Sequence, residues 1–146
     1  MALHDVFVYG TLQFPEVLRA LIARVPESQP ATLAGYKRYR VQNQVFPAII
    51  PGDAEDRVSG LLLSGLNAHD MKMFDAFEGE EYVKTAGSIK LQESGSPHAA
   101  LYYVWQPSLR DCLDLRPWDP QEFVDKHLAE YERMCIKFGA EPYQWK

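Results

Sequence analysis

Residues 6–12 read Val-Phe-Val-Tyr-Gly-Thr-Leu. The first four form a short apolar run, which ends at Gly10. Such a run of β-branched and aromatic residues predicts a buried strand. After a proline at position 15, apolar residues recur at helical spacing, at positions 17, 18, 21, 22 and 25. This spacing predicts a helix that begins at Pro15. The chain therefore begins with a strand, a tight turn and a helix.

The turn after this strand is suited to holding an anion. Gly10 has no Cβ, so a ligand can approach its backbone closely. Amide groups at a helix N-terminus are unpaired and favour a carboxylate or a developing oxyanion. Turns of this kind are also simple connections, so both interpretations stay open. A phosphate-binding Gly-Lys-Ser/Thr motif does not follow, and the second and third glycines of a dinucleotide-binding motif are missing.

The size and charge of the chain restrict its class. A chain of 146 residues predicts one domain. A net charge of −5 argues against binding to nucleic acid or to an anionic membrane surface. No apolar stretch approaches the ~20 residues of a membrane span, and the first residues show no signal peptide. We expect a cytoplasmic monomer or weak homodimer with no nucleic-acid or membrane partner.

The sequence indicates neither a metal site nor a disulfide bond. The four histidines, His4, His69, His98 and His127, are scattered and have no cysteine at ligand spacing, so no metal site is expected. Cys112 and Cys135 are isolated, which favours reduced thiols.

The remaining pattern predicts short strands interrupted by helices. A polar loop is expected from Pro26 to Pro30, and strands are expected at 32–41, 45–50, 58–63, 82–91 and 99–105. Pro47 lies within the second of these strands, which implies an edge position or a bulge. The alternation is too irregular for a doubly wound sheet. An α+β fold with a small, closed or highly curved mixed sheet fits better.

Two further helices carry clear start signals. Leu66–Phe77 is predicted as a helix with Asn67 as its N-cap and Asp70 three residues later. The sequence Asp-Pro-Gln-Glu at 119–122 starts a last helix whose apolar stripe continues to Phe138. Gly139 then stands at the usual position after a helix end. The stripe indicates core packing or a cover over the strand layer.

Glu78 is the candidate general base. It follows apolar Phe77 and precedes Gly79, which permits a turn that directs Glu78 inward while Glu80 and Glu81 stay in water. Partial burial and neighbouring acids raise the pKa of a carboxyl group, and this makes it a usable base near neutrality. A solvated helix end is the competing interpretation.

Taken together, four motifs resemble the γ-glutamylcyclotransferase superfamily over about residues 5–105. The motifs are Tyr-Gly-Thr-Leu at 9–12, Phe-Pro-Ala-Ile at 46–49, Val-Ser-Gly-Leu-Leu at 58–62, and Phe-Asp-Ala-Phe-Glu-Gly at 74–79 with Tyr82 just beyond. The helical extension from Trp118 to Phe138 is similar to the plant avirulence-induced branch. Lys84 stands where the family often has arginine.

The resemblance implies a small mixed β-barrel flanked by helices at 1–110, with a helical extension at 111–146 packed on it as one domain. It implies Glu78 as the catalytic acid/base and no cofactor or metal. It also implies a set of residues that hold a γ-glutamyl group, namely Val8, Tyr9, Gly10, Thr11, Leu12 and Tyr82. The expected reaction closes the γ-glutamyl group to 5-oxoproline and releases an amine.

Two alternatives to this activity remain. The chain could release a γ-glutamyl group from an amine such as the lysine side chain of an isopeptide. It could instead bind γ-glutamyl ligands without turnover.

Overall fold

The computed structural model describes residues 2–140. The strands in this part of the chain are β1 (His4–Val8), β2 (Glu27–Ala34), β3 (Tyr36–Val41), β4 (Pro47–Pro51), β5 (Arg57–Leu66), β6 (Tyr82–Leu91), β7 (Pro97–Trp105) and β8 (Leu113–Asp114). The α-helices described are α1 (Pro15–Ile22), α2 (Ala68–Glu78), α3 (Pro120–Lys126) and α4 (Leu128–Ala140).

Five strands close into a barrel in the order β1-β5-β2-β6-β7. The pairs are antiparallel except for β1 and β7, which run parallel at Val6 and Leu101 and close the barrel. A smaller sheet has the order β4-β3-β8. The predicted α+β fold, a small mixed barrel flanked by helices, is therefore confirmed.

Strand β1 is buried on both of its faces. Val6 and Val8 pack in a cluster with α1, α2 and α4, whereas Phe7 packs with Leu62 and Ile49 in a second cluster. Successive side chains of a strand point to opposite faces, so this division follows directly from the alternation. The continuous apolar run at the start of the sequence reflects a strand covered on both sides.

The region from 26 to 41 differs from the prediction. Residues 27–30 were expected in a loop but belong to β2, which pairs with β5 over its whole length. Pairing of β2 with β6 involves only Ala31 and Thr32, so Pro30 lies on a section with one paired neighbour, where a proline is tolerated. The single strand expected at 32–41 is interrupted at Gly35, whose φ is +84°, and continues as β3 in the other sheet.

Pro47 occupies an edge strand, as the sequence predicted. It is the first residue of β4, which pairs with β3 only and lies at the end of the three-stranded sheet. The missing amide hydrogen of proline costs least at such an edge.

The start of α2 also agrees with its predicted cap. Asn67 Oδ1 accepts a hydrogen bond from the Asp70 amide at 2.8 Å, and Asp70 Oδ2 accepts one from the Asn67 amide at 3.0 Å. This reciprocal pair satisfies two amides that the helix leaves without partners. The helix spans Ala68–Glu78, whereas Leu66–Phe77 was predicted, because Leu66 is still part of β5.

The last helix is divided in two. His127 has φ −129° and ψ −20°, and separates α3 from α4, where one continuous helix was predicted. Gly139 does not follow the helix but lies inside α4. A Cβ at Gly139 would lie 2.3 Å from the Ala20 carbonyl oxygen of α1, so the glycine permits close packing of the two helices. Residues 141–146 of the predicted extension lie outside the described residues.

We expect Gly139→Ala to destabilise the protein. Alanine normally stabilises a helix interior by about 1 kcal/mol relative to glycine, but here the added methyl group overlaps backbone of α1. Overpacking of this kind costs about 1–3 kcal/mol. Urea unfolding measures the change, with Lys137→Ala on the exposed face of α4 as the control. An increased free energy of unfolding for Gly139→Ala would contradict the packing argument.

Candidate active site

A cavity of about 510 Å³ lies where the end of β1, the end of α2, the start of β6 and α4 meet. Every residue predicted for the site lines this cavity: Val8, Tyr9, Gly10, Thr11, Leu12, Glu78 and Tyr82. The structure thus brings together seven residues from three separate segments. Their individual roles remain predictions.

Glu78 is the last residue of α2 and is only partly accessible to solvent. Gly79 follows with φ +74°, a left-handed conformation that glycine adopts without strain. The chain turns there, and Glu80 and Glu81 are exposed at the cavity rim. Burial, as the larger cause, and the nearby charge of Glu81 together raise the pKa of Glu78 from 4.5 to about 8. The carboxyl group therefore changes protonation near the physiological pH range.

Four tyrosines surround this carboxyl group: Tyr9, Tyr82, Tyr103 and Tyr131. Burial raises the pKa of each, and the charge of Glu78 raises it further. They stay neutral and act as hydrogen-bonding and packing groups. Tyr9 donates to the Tyr103 carbonyl oxygen at 2.6 Å, and Tyr82 donates to the Pro47 carbonyl oxygen at 2.9 Å.

Asp75 and Lys84 support the same wall of the cavity. Tyr103 donates its phenol hydrogen to Asp75 Oδ1 at 2.6 Å, and Lys84 Nζ lies 2.9 Å from Asp75 Oδ2. The charge of Lys84 is therefore paired with that of Asp75.

The turn after β1 is a single turn of 3-10 helix at Thr11–Gln13. Its first amides have no partner within that turn, as at any helix start. The Thr11 side chain donates to the Tyr131 hydroxyl oxygen at 3.2 Å. The ring of Pro47 fills the space beside Gly10, because a Cβ at Gly10 would lie 2.8 Å from Pro47 Cγ. On that side the glycine makes room for a proline, where the sequence suggested room for a ligand.

Sequence reasoning did not assign the aromatic part of the cavity wall. Phe77, Tyr131 and Phe138 form edge-to-face contacts, with the Phe77 ring centroid 6.2 Å from Tyr131 and 5.3 Å from Phe138. Tyr131 and Phe138 belong to the apolar stripe that was interpreted as core packing or a cover. The further lining residues are Phe7, Phe46, Pro47, Ala76, Gly79, Glu80, Glu81, Tyr103, Trp105 and Met134. Phe46, Pro47, Ala76 and Gly79 belong to the motifs quoted from the sequence, but the sequence assigned none of these further residues to the site.

The described charged side chains that line the cavity are all acidic. Among the lining residues that the structure describes there are three glutamates, and there is no lysine, arginine or histidine. A ligand group that enters near the rim therefore meets negative charge with no cation to offset it.

The described part of the chain contains neither a metal-binding cluster nor a helix that could span a membrane. Within residues 2–140, no cluster of three histidine, cysteine or acidic side chains could hold a metal ion. No helix among these residues is long and apolar enough to cross a membrane.

Comparison with known proteins identifies the family. Residues 6–124 match the family described as "Gamma-glutamyl cyclotransferase, AIG2-like". Over 130 residues the chain is 36% identical to AIG2-like protein C of Arabidopsis thaliana, and the match covers 84% of this chain and 75% of the relative. The chain belongs to the gamma-glutamyl cyclotransferase, AIG2-like family. This confirms the resemblance to the plant branch.

Solved structures agree on the fold. An Arabidopsis thaliana protein determined in solution superposes with a TM-score of 0.71 at 30% identity, over 92% of this chain and 89% of that protein. A structure titled "Gamma-glutamyl cyclotransferase" superposes with a TM-score of 0.60 at 17% identity, over 92% of this chain and 86% of that one. At that identity the second likeness concerns the fold alone.

We expect Glu78→Gln to stabilise the protein increasingly as the pH rises. The pKa of Glu78 is about 8 in the folded protein, against 4.5 for an unperturbed glutamate. Between these two pH values, the folded state therefore holds a proton that the unfolded state releases. The native protein thus loses stability between about pH 4.5 and 8, whereas the glutamine variant does not. We expect a difference of about 2–3 kcal/mol, since solvent contact weakens the full effect.

Urea unfolding at about pH 5 and about pH 9 measures this difference, with Glu80→Gln as the control for loss of one exposed charge. A stability difference that is the same at both pH values would show that Glu78 titrates normally.

Proposed function

We propose that this member of the gamma-glutamyl cyclotransferase, AIG2-like family is an active γ-glutamylcyclotransferase. It would convert a γ-glutamyl compound into 5-oxoproline and a free amine. The observation that carries the proposal is Glu78, a partly buried carboxyl group with a pKa of about 8 that lines a cavity beside the turn at 9–12. A general base is most effective when its pKa lies near the working pH.

The reaction requires that a proton leave the α-ammonium group of the substrate, because an ammonium group has no lone pair for attack. Glu78 in its carboxylate form accepts this proton. The amine nitrogen, which still carries two hydrogens, then forms a bond to the γ-carbonyl carbon and loses a second proton as the five-membered ring closes. The bond from that carbon to the leaving nitrogen breaks as Glu78 passes the first proton to this nitrogen, and the departing amine takes up the second proton and leaves as an ammonium ion. The balance needs no water, metal or oxidant.

Intramolecular attack determines what the protein must contribute. Both reacting groups belong to one γ-glutamyl unit, so the main requirement is to hold this unit folded, and such positioning accounts for a large part of many rate enhancements. The aromatic wall formed by Phe77, Tyr131 and Phe138 gives the cavity a defined shape. The amides of Gly10 and Thr11 are suited to hold the α-carboxylate or the oxyanion.

The acidic rim favours a particular leaving amine. Glu80 and Glu81 are exposed at the rim, and no cation is present among the described lining residues. A leaving group with a net negative charge, such as an amino acid that is linked through its α-nitrogen, would be repelled there. This favours γ-glutamylamine substrates over γ-glutamyl amino acids and glutathione, and the favoured class includes the side-chain isopeptide of lysine, in which the α-ammonium group offsets the carboxylate.

We expect 5-oxoproline from purified protein incubated with a suitable γ-glutamyl compound, and about 1000-fold less from Glu78→Gln, which lacks the base but keeps the shape. The panel contains γ-glutamyl amino acids, glutathione, a γ-glutamyl-lysine isopeptide and three matched γ-glutamyl conjugates. The matched amines are butylamine, putrescine and 4-aminobutyrate, which share a four-carbon chain and differ in charge.

The anionic conjugate should react about 10-fold more slowly than the neutral one, and Glu81→Gln should reduce this difference. Absence of 5-oxoproline with every compound, together with tight binding of one of them, would favour the alternative of a binding protein without turnover.

We expect Glu81→Gln to shift the pH profile of kcat/KM to lower pH. The rate should rise with pH about a midpoint near 8, since only the carboxylate form of Glu78 is a base. Removing the charge of Glu81 lowers the pKa of Glu78, so the midpoint moves down. The neutral butylamine conjugate is the substrate, and Glu80→Gln is the matched control with no expected shift. Equal midpoints in all three proteins would contradict this assignment.

A further inference from the structure

The peptide between Tyr9 and Gly10 carries the first amide of the turn at the cavity. In a trans peptide the carbonyl oxygen and the amide hydrogen point in opposite directions, and no cis peptide occurs in the described residues. Whatever holds the Tyr9 carbonyl oxygen therefore also sets the direction of the Gly10 amide hydrogen.

A side chain from outside the cavity holds this oxygen. Arg38 Nη1 donates to the Tyr9 carbonyl oxygen at 2.8 Å and to the Ser59 carbonyl oxygen at 3.2 Å. Arg38 comes from β3, in the three-stranded sheet, whereas Tyr9 and Ser59 belong to the barrel region. Arg38 thus crosses from the smaller sheet to the barrel and bridges two of its segments.

The next peptide is held in the same way, but locally. The Gln13 amide and the Gln13 side chain both donate to the Gly10 carbonyl oxygen, at 3.1 Å and 3.2 Å. These two hydrogen bonds fix the peptide between Gly10 and Thr11 and thereby set the direction of the Thr11 amide hydrogen. Both amides assigned to the anion are thus oriented through hydrogen bonds on the opposite side of their own peptides.

Arg38 is itself held in place. Its guanidinium carbon lies 5.3 Å from the centroid of the Trp118 ring, a cation–π arrangement. Trp118 is buried and donates from Nε1 to the Val45 carbonyl oxygen at 2.8 Å. The segment from Val45 leads to Pro47, whose ring packs against Gly10. The helical extension thereby supports the turn through two connected paths.

We propose that Arg38 is a positioning residue for the cavity: it fixes the direction of the Gly10 amide hydrogen and polarises that peptide for an anionic group of the substrate. The identity of that group, a γ-glutamyl carboxylate or oxyanion, rests on the function proposed above. A guanidinium group keeps its charge and offers several donors in one plane, so one side chain can hold both carbonyl oxygens.

The test compares Arg38→Met, Arg38→Lys and Arg40→Met. Arg40 lies two residues further along β3 and therefore on the same face of the strand, but its substitution leaves the contact with Tyr9 intact. It removes the same charge and is the matched control. Amide NMR spectra report folding and the environment of Gly10, and steady-state assays with the neutral butylamine conjugate report kcat and KM separately.

We expect Arg38→Met to shift the Gly10 amide resonance and to lower kcat/KM by about 100-fold. A lower kcat indicates an amide that holds the oxyanion, and a higher KM indicates one that holds the carboxylate. Arg38→Lys keeps the charge without the planar group and should recover part of the loss, to within about 10-fold of the native value. Arg40→Met should stay within about 2-fold of it.

A folded Arg38→Met protein with native kcat/KM overturns the proposal, whatever its spectrum. If only the lysine variant folds, native kcat/KM in that variant overturns it. If the native protein turns over no substrate, the proposed reaction fails independently. Titration of the native and Arg38→Met proteins with L-glutamate, followed at the Gly10 and Thr11 amides, then decides, and equal binding by both overturns the proposal.

Discussion

Burial of β1 on both faces is the constraint on which the rest of the structure depends. Phe7 faces the barrel interior while Val6 and Val8 face the helices, so the strand needs a closed barrel on one side and a helical layer on the other. Removing either layer would expose apolar surface to water, which costs a free energy of about 25 cal/mol per Å². The turn at Gly10 leaves this strand between the two layers. A cavity that opens there is therefore bordered by both.

The same arrangement creates the unusual environment of Glu78. Helix α2 covers one side of β1 and ends beside the turn, so its last side chain points to the space between barrel and helices. Aromatic rings surround that space, and no cation offsets the carboxylate among the described lining residues. The fold thus loses stability when Glu78 ionises, which is the expected cost of a base whose pKa is raised.

Local patterns predicted the parts of the fold that depend on local physics. The run at 6–9, the cap at Asn67 and Asp70, and the edge position of Pro47 each follow from residues close in sequence. The predictions were wrong where contacts with residues distant in the sequence determine the secondary structure. Residues 27–30 form a strand because β5 pairs with them, and a glycine occurs within α4 at position 139 because the Ala20 carbonyl oxygen leaves no room for a Cβ there. No periodicity within those segments carries that information.

The site shows the same division. Its predicted residues come from the stretch at 8–12, from Glu78 and from Tyr82, and all three segments border one cavity. The wall from α4 could not be predicted, because an apolar stripe has the same appearance whether it packs against a core or borders a cavity. Tyr131 does both, since its ring packs on Phe77 and Phe123 while its hydroxyl oxygen accepts from Thr11. The helical extension therefore cannot be separated from the site: one side chain of α4 joins the core to the turn that follows β1.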